Sequence, residues 1–430
     1  MAAGATQRNV ASHQGPGGNA NVTIQYTRDA AGRLTGTSEA SSAATQTRSF
    51  SFDWLGRRLS EANPESGNQA TQYIYDADST CGTGANDNGS QVARQDAAGN
   101  VTCYLHDAMG RVTSQTHPTI ASGFLTPPNA YFVYGAGHSV GGTTMQNAAG
   151  RLAEAYTQSG STLETDEGFS YAADGRLAGT YESTAHDGGF YYWVGDTYAA
   201  NGTVTEMQNN FGLLAITYAL DGEGRWSTGS ASSGQNPVTA AQYNVFGEPT
   251  EVDLGSGDKD VYGYDAALGR MTGYTFDVGA GALAATLTWN QDGTLGNLTA
   301  TDTLPGGGGP NAQNCGYGYD DLARLESVNC GAGNWGQTFS TDAFGNMASS
   351  GSQGFSATFN LATNRINDLG VSYDADGDEL GDAQHSTTWD ANQHPASIDG
   401  APVAYDALGN MVEKYQHGAW DQLVRGPQGT

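Results

Sequence analysis

The residues of this chain best suited to chemistry by type and spacing are Asp374, Asp376 and Asp378, in the run Asp374-Ala375-Asp376-Gly377-Asp378. Carboxylates at every second position open a calcium loop, where hard oxygen ligands converge on one ion. Such a loop needs glycine at its sixth position and glutamate at its twelfth, and Glu379 and His385 stand there instead. The three acids are therefore a partial cation loop or an ordinary acidic turn. Gly331-Ala332-Gly333-Asn334-Trp335-Gly336 fits the G-x-G-x-x-G dinucleotide pattern. It runs into the strand-like Gln337-Thr338-Phe339-Ser340, so no helix N-terminus follows to receive a phosphate. Gly279-Ala280-Gly281-Ala282-Leu283-Ala284 fails in the same way. His106, His385 and His394 have no cysteine or further histidine at ligand spacing. Neither a G-x-S-x-G elbow nor a P-loop occurs. The sequence is read as non-enzymatic and without a cofactor.

The elements that would position such residues are short strands. Of 430 residues only 14% are charged, 10% are aromatic and 62 are glycine, and no long run has a 3.6-residue period. Disorder favours the opposite, high charge with few aromatics. The formal net charge of -28 argues against nucleic acid, which needs a basic footprint. It suits solubility, association with divalent cations or a cationic cargo, or simply a solvated acidic surface. No apolar run reaches the length of a membrane span. The most apolar one, 211–220, reads as a buried strand. Met1 to Val10 has no basic start followed by an apolar core, so no signal peptide is visible.

One unit recurs from end to end, and Tyr405-Asp406-Ala407-Leu408-Gly409-Asn410 states it most fully. Val403 and Tyr405 lie on one strand face, since side chains alternate with a period of two. Asp406 can accept a backbone N–H two residues on and begin an Asx-type turn. Gly409 can take the positive φ of the reversal. Phe52 with Gly56, Asp107 with Gly110, Tyr171 with Gly175, Tyr264 with Gly269, and Tyr373 with Gly377 repeat the pattern. Tyr319 precedes a copy in which Ala323 replaces the glycine. An arginine often follows the turn, at Arg33, Arg57, Arg111, Arg151, Arg176, Arg270 and Arg324. Each is expected to pack over a neighbouring ring or pair with a turn aspartate, rather than to form an anion ladder.

A unit of about twenty residues cannot bury a core by itself, so this periodicity means a stacked array. The expected fold class is all-β, one continuous antiparallel sheet over residues 21–430 after a disordered lead-in at 1–20. Longer loops are expected near 113–145, with one strand around Tyr131 to Tyr134, and near 301–316. Cys81 and Cys103, and Cys315 and Cys330, are each separated by about one repeat, without C-x-x-C spacing. Two local disulfides are expected, with free buried thiols or a metal site as the alternatives. Disulfides would imply an oxidising compartment, secreted or at the cell surface.

The run of Tyr-Asp-x-x-Gly-Arg/Asn units, together with Asn360-Leu361-Ala362-Thr363-Asn364-Arg365-Ile366, resembles the YD repeats of the RHS family. The resemblance covers nearly the whole chain and implies an antiparallel sheet spiralling into a hollow shell. In bacterial relatives such shells enclose a C-terminal effector or toxin, and teneurins carry a related shell at the cell surface. Shells that enclose toxins usually end in an Asp-Pro-containing self-cleaving core. This chain has no Asp-Pro dipeptide, so the C-terminal core and toxin are expected to be absent and the chain to be a fragment or truncated member. A non-catalytic shell segment, enclosing or presenting an effector cargo or partner, is the resulting expectation. The alternative is a secreted or surface adhesin that grips glycan through exposed aromatics. Strand edges left open would favour edge-to-edge self-association.

Overall fold

The computed structural model describes residues 8–14, 21–82, 87–306 and 311–429. Among these the structure is strands and turns, with one short 3-10 turn at Pro64–Ser66. A 27-stranded antiparallel sheet dominates, so the expectation of an all-β chain with one long antiparallel sheet is met. Strands of the sheet pair in sequence order, for example Asn21–Arg28 with Leu34–Ala40 and Thr162–Tyr171 with Leu177–Thr184, while the hairpin of Ser139–Val140 and Thr143–Thr144 stands apart between Asn129–Tyr134 and its partner Leu152–Ser159.

The repeat has a definite local geometry. At Asp406 the backbone N–H donates to the Asn410 carbonyl at 2.9 Å, and the Gly409 N–H donates back to the Asp406 carbonyl at 3.2 Å. This is a type I turn closed by a residue in the left-handed region, with Gly409 at φ 84°. The Asp406 Oδ1 accepts the N–H groups of Leu408 and Asn410, both at 2.8 Å. The strand register shifts between Ala404 and Tyr405, and equivalent shifts fall just before Phe52, Tyr171, Tyr264 and Tyr319. The aromatic, the aspartate and the glycine are thus parts of one bulged hairpin. Gly56, Gly110, Gly175, Gly269 and Gly377 all have positive φ. Where glycine is missing, Ala323 and Gln393 take φ 59° and 65° in its place.

The second carboxylate oxygen stitches one turn to the next. The Arg57 Nε donates to Asp53 Oδ2 at 2.6 Å, its two Nη atoms donate to Asp76 at 2.9 Å each, and its guanidinium lies 4.6 Å over Tyr75. Through these bonds Arg57 holds the Asp76 carboxyl down at about 2. Arg33, Arg111 and Arg225 likewise pair with their own turn aspartate and lie over Phe52, Tyr134 and Tyr243. Asn100, Asn346 and Asn410 replace the arginine in other copies and donate to Asp96, Asp342 and Asp406. At Asn244 the roles reverse, and its amide donates to Glu248 at 2.6 Å. The expected pairing of arginine with ring and aspartate is what these turns contain.

Two compact units divide the chain. The first comprises Met1–Gln14, Ala20–Val194 and Ala357–Thr430. It holds the strands Asn21–Arg28 to Leu177–Thr184 and, after residue 357, two small hairpins and a five-stranded sheet from Thr387 to Gln422. Its main apolar cluster is Val140, Met145, Ala148 and Ala153, covered by Tyr171, Tyr181 and Tyr191. The second comprises, among the described residues, Gly195–Ser356, a meander from Val204–Asn209 to Met347–Gly351. Cys315, Val328 and Cys330 form its buried cluster, with Tyr317 and Phe339 against them. The cores are thin because most inward positions carry alanine, threonine or a half-buried ring.

Both expected disulfides are present, Cys81–Cys103 and Cys315–Cys330. Three local expectations differ from the structure. Arg8–Gln14, inside the stretch read as a disordered lead-in, is a strand paired with Asn21–Arg28, while residues 1–7 and 15–20 lie outside the described residues. The 113–145 loop contains the strands Val112–Thr119 and Asn129–Tyr134 and a hairpin, Ser139–Val140 with Thr143–Thr144. Residues 211–220 are not a buried strand: Leu213 and Leu214 are exposed, and only Ile216–Leu220 is a strand, half-buried on alternate positions. Near 301–316 the described chain is a strand to Asp302 and another from Gln313.

Candidate functional site

The arrangement that sets this chain apart from a simple meander lies in the first unit. There the segment after residue 357 folds back across strands of the first half and docks by its turns. The Asn360–Asn364 turn meets Gln46 and Glu65, with Gln46 Nε2 donating to Asn364 Oδ1 at 2.6 Å and Arg365 Nε to the Glu65 carbonyl at 2.7 Å. The Asp374–Asp378 turn meets the Asp96–Asn100 turn, where the Ala98 N–H donates to Asp376 Oδ1 at 3.0 Å. The Asp390–His394 turn meets Leu125, whose N–H and carbonyl bond to Trp389 and Ala391 at 2.9 and 3.1 Å. Asn392 Oδ1 accepts from Gln115 Nε2 at 2.8 Å and contacts His117 Nε2 at 2.8 Å. Farther along, Thr180 Oγ1 donates to the Arg425 carbonyl at 2.7 Å.

The deepest of these contacts is Glu413, which has no exposed surface. Its carboxylate accepts from Thr184 Oγ1 at 2.5 Å, from His186 Nδ1 at 2.7 Å and from the His186 backbone N–H at 3.2 Å. The His186 ring in turn stacks on Trp420 with centroids 3.9 Å apart. Glu167 and Glu182 face each other directly on adjacent strands, buried beneath the Asp406 turn and Arg425. Burial pushes Glu167 up to about 10, aided by the Asp406 carboxylate beside it, and burial pushes Glu182 up to about 7.

Between the docked repeats and the strands beneath them is a cavity of about 490 Å³, large enough for a small ligand or a stretch of extended chain. Arg94, Tyr104, His186, Asp390, His394 and Tyr405 are among its lining residues. Arg94 Nη2 donates to Gln393 at 3.2 Å, and the His394 ring stacks on Tyr405 at 4.4 Å. Burial raises Asp390 and lowers His117, favouring the uncharged form of each. These groups are bonded to neighbouring backbone and amides, as a packed interface requires. They are not arranged as a nucleophile with its base.

Tyr405, Asp406 and Gly409 line this cavity. The other repeat residues named from sequence, including Phe52, Asp107, Tyr171, Tyr264, Tyr319 and Tyr373, are distributed over successive hairpins. Asp374 Oδ1 caps its own turn by accepting the N–H groups of Gly377 and Asp378, both at 2.9 Å. The Oδ2 atoms of Asp374, Asp376 and Asp378 are buried without a hydrogen-bond partner. Burial pushes Asp376 up to about 6 and Asp378 up to about 7. Among the described residues, no three histidine, cysteine, aspartate or glutamate side chains are placed to hold a metal ion. His385 contacts Asp399 at 2.8 Å, apart from the His394–Tyr405 stack.

The docking groups were missed from sequence. Their one signal is an acid within an otherwise regular strand, as at Asp166-Glu167 and Glu413, all three of which are buried.

No family model and no characterised protein matches the sequence. Solved structures do match in fold. The Tc holotoxin pore of Photorhabdus luminescens, carrying a point mutation in TccC3, is similar at a TM-score of 0.66 and 12% identity over 94% of this chain. The TcdB2–TccC3 structure is similar at 0.66 and 12% over 92%, and TcdB2–TccC3–Cdc42 at 0.65 and 12% over 93%. This chain spans about a quarter of those chains, 24% in each case. At that identity the likeness is one of fold.

Proposed function

We propose that this chain is a structural segment of a YD-repeat wall, which encloses or presents an effector or partner polypeptide and does no chemistry itself. The supporting observation is the fold-back of the last repeats onto the first-half strands, which lays one part of the array over another. The repeat residues serve this role: aromatics as packing ribs, aspartate and glycine as the turn, and arginine or asparagine as the stitch between turns. Likeness in fold to chains of Tc toxin structures favours the same reading. Two disulfides favour a secreted or cell-surface setting. Purification of the protein under native conditions from its source, followed by native mass spectrometry and protease digestion, tests the proposal. A co-purifying or covalently continuous polypeptide that resists protease until the wall is denatured is expected. A bare chain with every attached segment digested at the rate of free polypeptide would overturn it.

A second reading, glycan adhesion, rests on the exposure of Trp54 at 87% and Phe246 at 66%. Such aromatic faces suit sugar rings. A glycan array separates the two readings. Binding abolished by Trp54→Ala or Phe246→Ala supports adhesion, and no binding supports the wall.

A further inference from the structure

The contact between the Asp406 turn and the strands Thr162–Tyr171 and Leu177–Thr184 contains more acid than base. Glu167, Glu182 and Asp406 are 9%, 3% and 5% exposed, and Asp187 acts on Glu182 from the end of its strand. Arg425 is the cation facing them, and it also donates through Nη1 to the Met411 carbonyl at 2.7 Å. One guanidinium can offset one carboxylate. The remaining acids stay buried only if protons neutralise them.

The hydrogen bonds distinguish the three acids. Asp406 Oδ1 and Oδ2 together accept three N–H bonds, from Leu408, Asn410 and the Asn410 amide, each at 2.8 Å. Glu167 lies beside Asp406, and burial first, then that neighbouring carboxylate, push it toward its protonated form. Glu167 Oε2 and Glu182 Oε1 have no hydrogen-bond partner, so no further donor would compensate their ionisation.

We propose that this acid contact is a proton-operated clasp: it fastens the last repeats, residues 401–425, onto the first-half strands when protonated and releases them as the pH rises. The clasp concerns docking alone and stands or falls independently of what the array encloses. The direction follows from linkage. In the docked state Glu167 and Glu182 bind a proton more tightly than they would when released. Docking is therefore strongest below the ordinary glutamate range, weakens through both groups as pH rises from there to about 7, where the loss through Glu182 is complete, and weakens further through Glu167 alone up to about 10. Each pH unit through this range lowers the docking equilibrium by up to about tenfold per group.

Hydrogen exchange of the whole protein, read by mass spectrometry from pH 6 to 10 in EDTA and corrected for intrinsic exchange, tests this. Peptides from 401–425 and 162–184 should lose protection progressively from pH 6, more steeply below pH 7 than above it, while peptides from 271–302 in the second unit keep theirs. Glu182→Gln should remove the extra steepness below pH 7, and Glu167→Gln the slope that continues above it, because a neutral amide cannot ionise. If either variant does not fold, the wild-type profile still decides the matter. Protection that stays flat to pH 10, or falls equally in both units, would overturn the clasp, as would glutamine variants with the wild-type profile.

Discussion

Replacing Glu413 should detach the last repeats more effectively than any other one-residue change in the segment. The carboxylate is fully buried and anchors three donors on two residues at the opposite strand end, the Thr184 hydroxyl and the His186 ring and backbone N–H. In Glu413→Ala the buried Thr184 hydroxyl loses its acceptor, at about 1–3 kcal/mol for a buried group left unsatisfied, whereas the partly exposed His186 ring can turn to water. Together with the cavity left by the side chain, the cost is about 3–5 kcal/mol. Glu413→Gln keeps the volume and one acceptor oxygen and should cost about 1–2 kcal/mol. At about 1.4 kcal/mol per factor of ten, alanine raises the local opening constant by two to three orders of magnitude. Hydrogen exchange of residues 401–425 at pH 6.5 reads that constant directly. An alanine variant whose protection in this segment falls by less than about tenfold would refute the reasoning.

Other perturbations address other parts of the array. Met145→Ala, at a side chain 2% exposed in the main apolar cluster, should destabilise the first unit by about 2–5 kcal/mol in urea unfolding. Replacing Cys315 and Cys330 by serine opens a link across 15 residues and should cost about 3 kcal/mol, seen as a lower Tm of the second unit. Arg57→Ala should lower the Tm, and Arg57→Lys should not restore it, because an ammonium cannot pair with Asp53 and Asp76 together while lying flat on Tyr75. An equal Tm for the lysine variant and the wild type would count against that stitch.

Much of the hairpin was legible because its causes are local. Aspartate, glycine and the preceding aromatic are each required by a turn whose hydrogen bonds close within five residues, as at Asp406–Asn410. Disulfides one repeat apart follow from the same register. The fold-back was not legible, because its contacts join residues far apart in sequence, such as Gln46 with Asn364 and Thr184 with Glu413. No periodicity encodes such a pairing. Glu167 and Glu182 illustrate the difficulty: in the sequence they are two of 45 acids, and only their placement opposite each other under Arg425 gives them a role. The apolar run from residue 211 misled for a related reason. Local hydrophobicity marks a strand, but which face meets a partner depends on distant elements, and Leu213 meets none closely enough to be buried.

The most direct test of the account is whether the last repeats lie on the first-half strands in solution. Gln115 and Asn392, hydrogen-bonded at 2.8 Å although 277 residues apart, report this contact. The described residues include no free cysteine, so a Gln115→Cys/Asn392→Cys variant places two thiols there alone. Treatment with a short bifunctional thiol reagent at pH 6.5 should join them within one chain in most molecules, with the product identified by mass spectrometry. A yield no greater than that of a control pair carrying Asn392→Cys and a cysteine at Thr35 would contradict the fold-back, and with it the reading of the chain as a wall laid over itself.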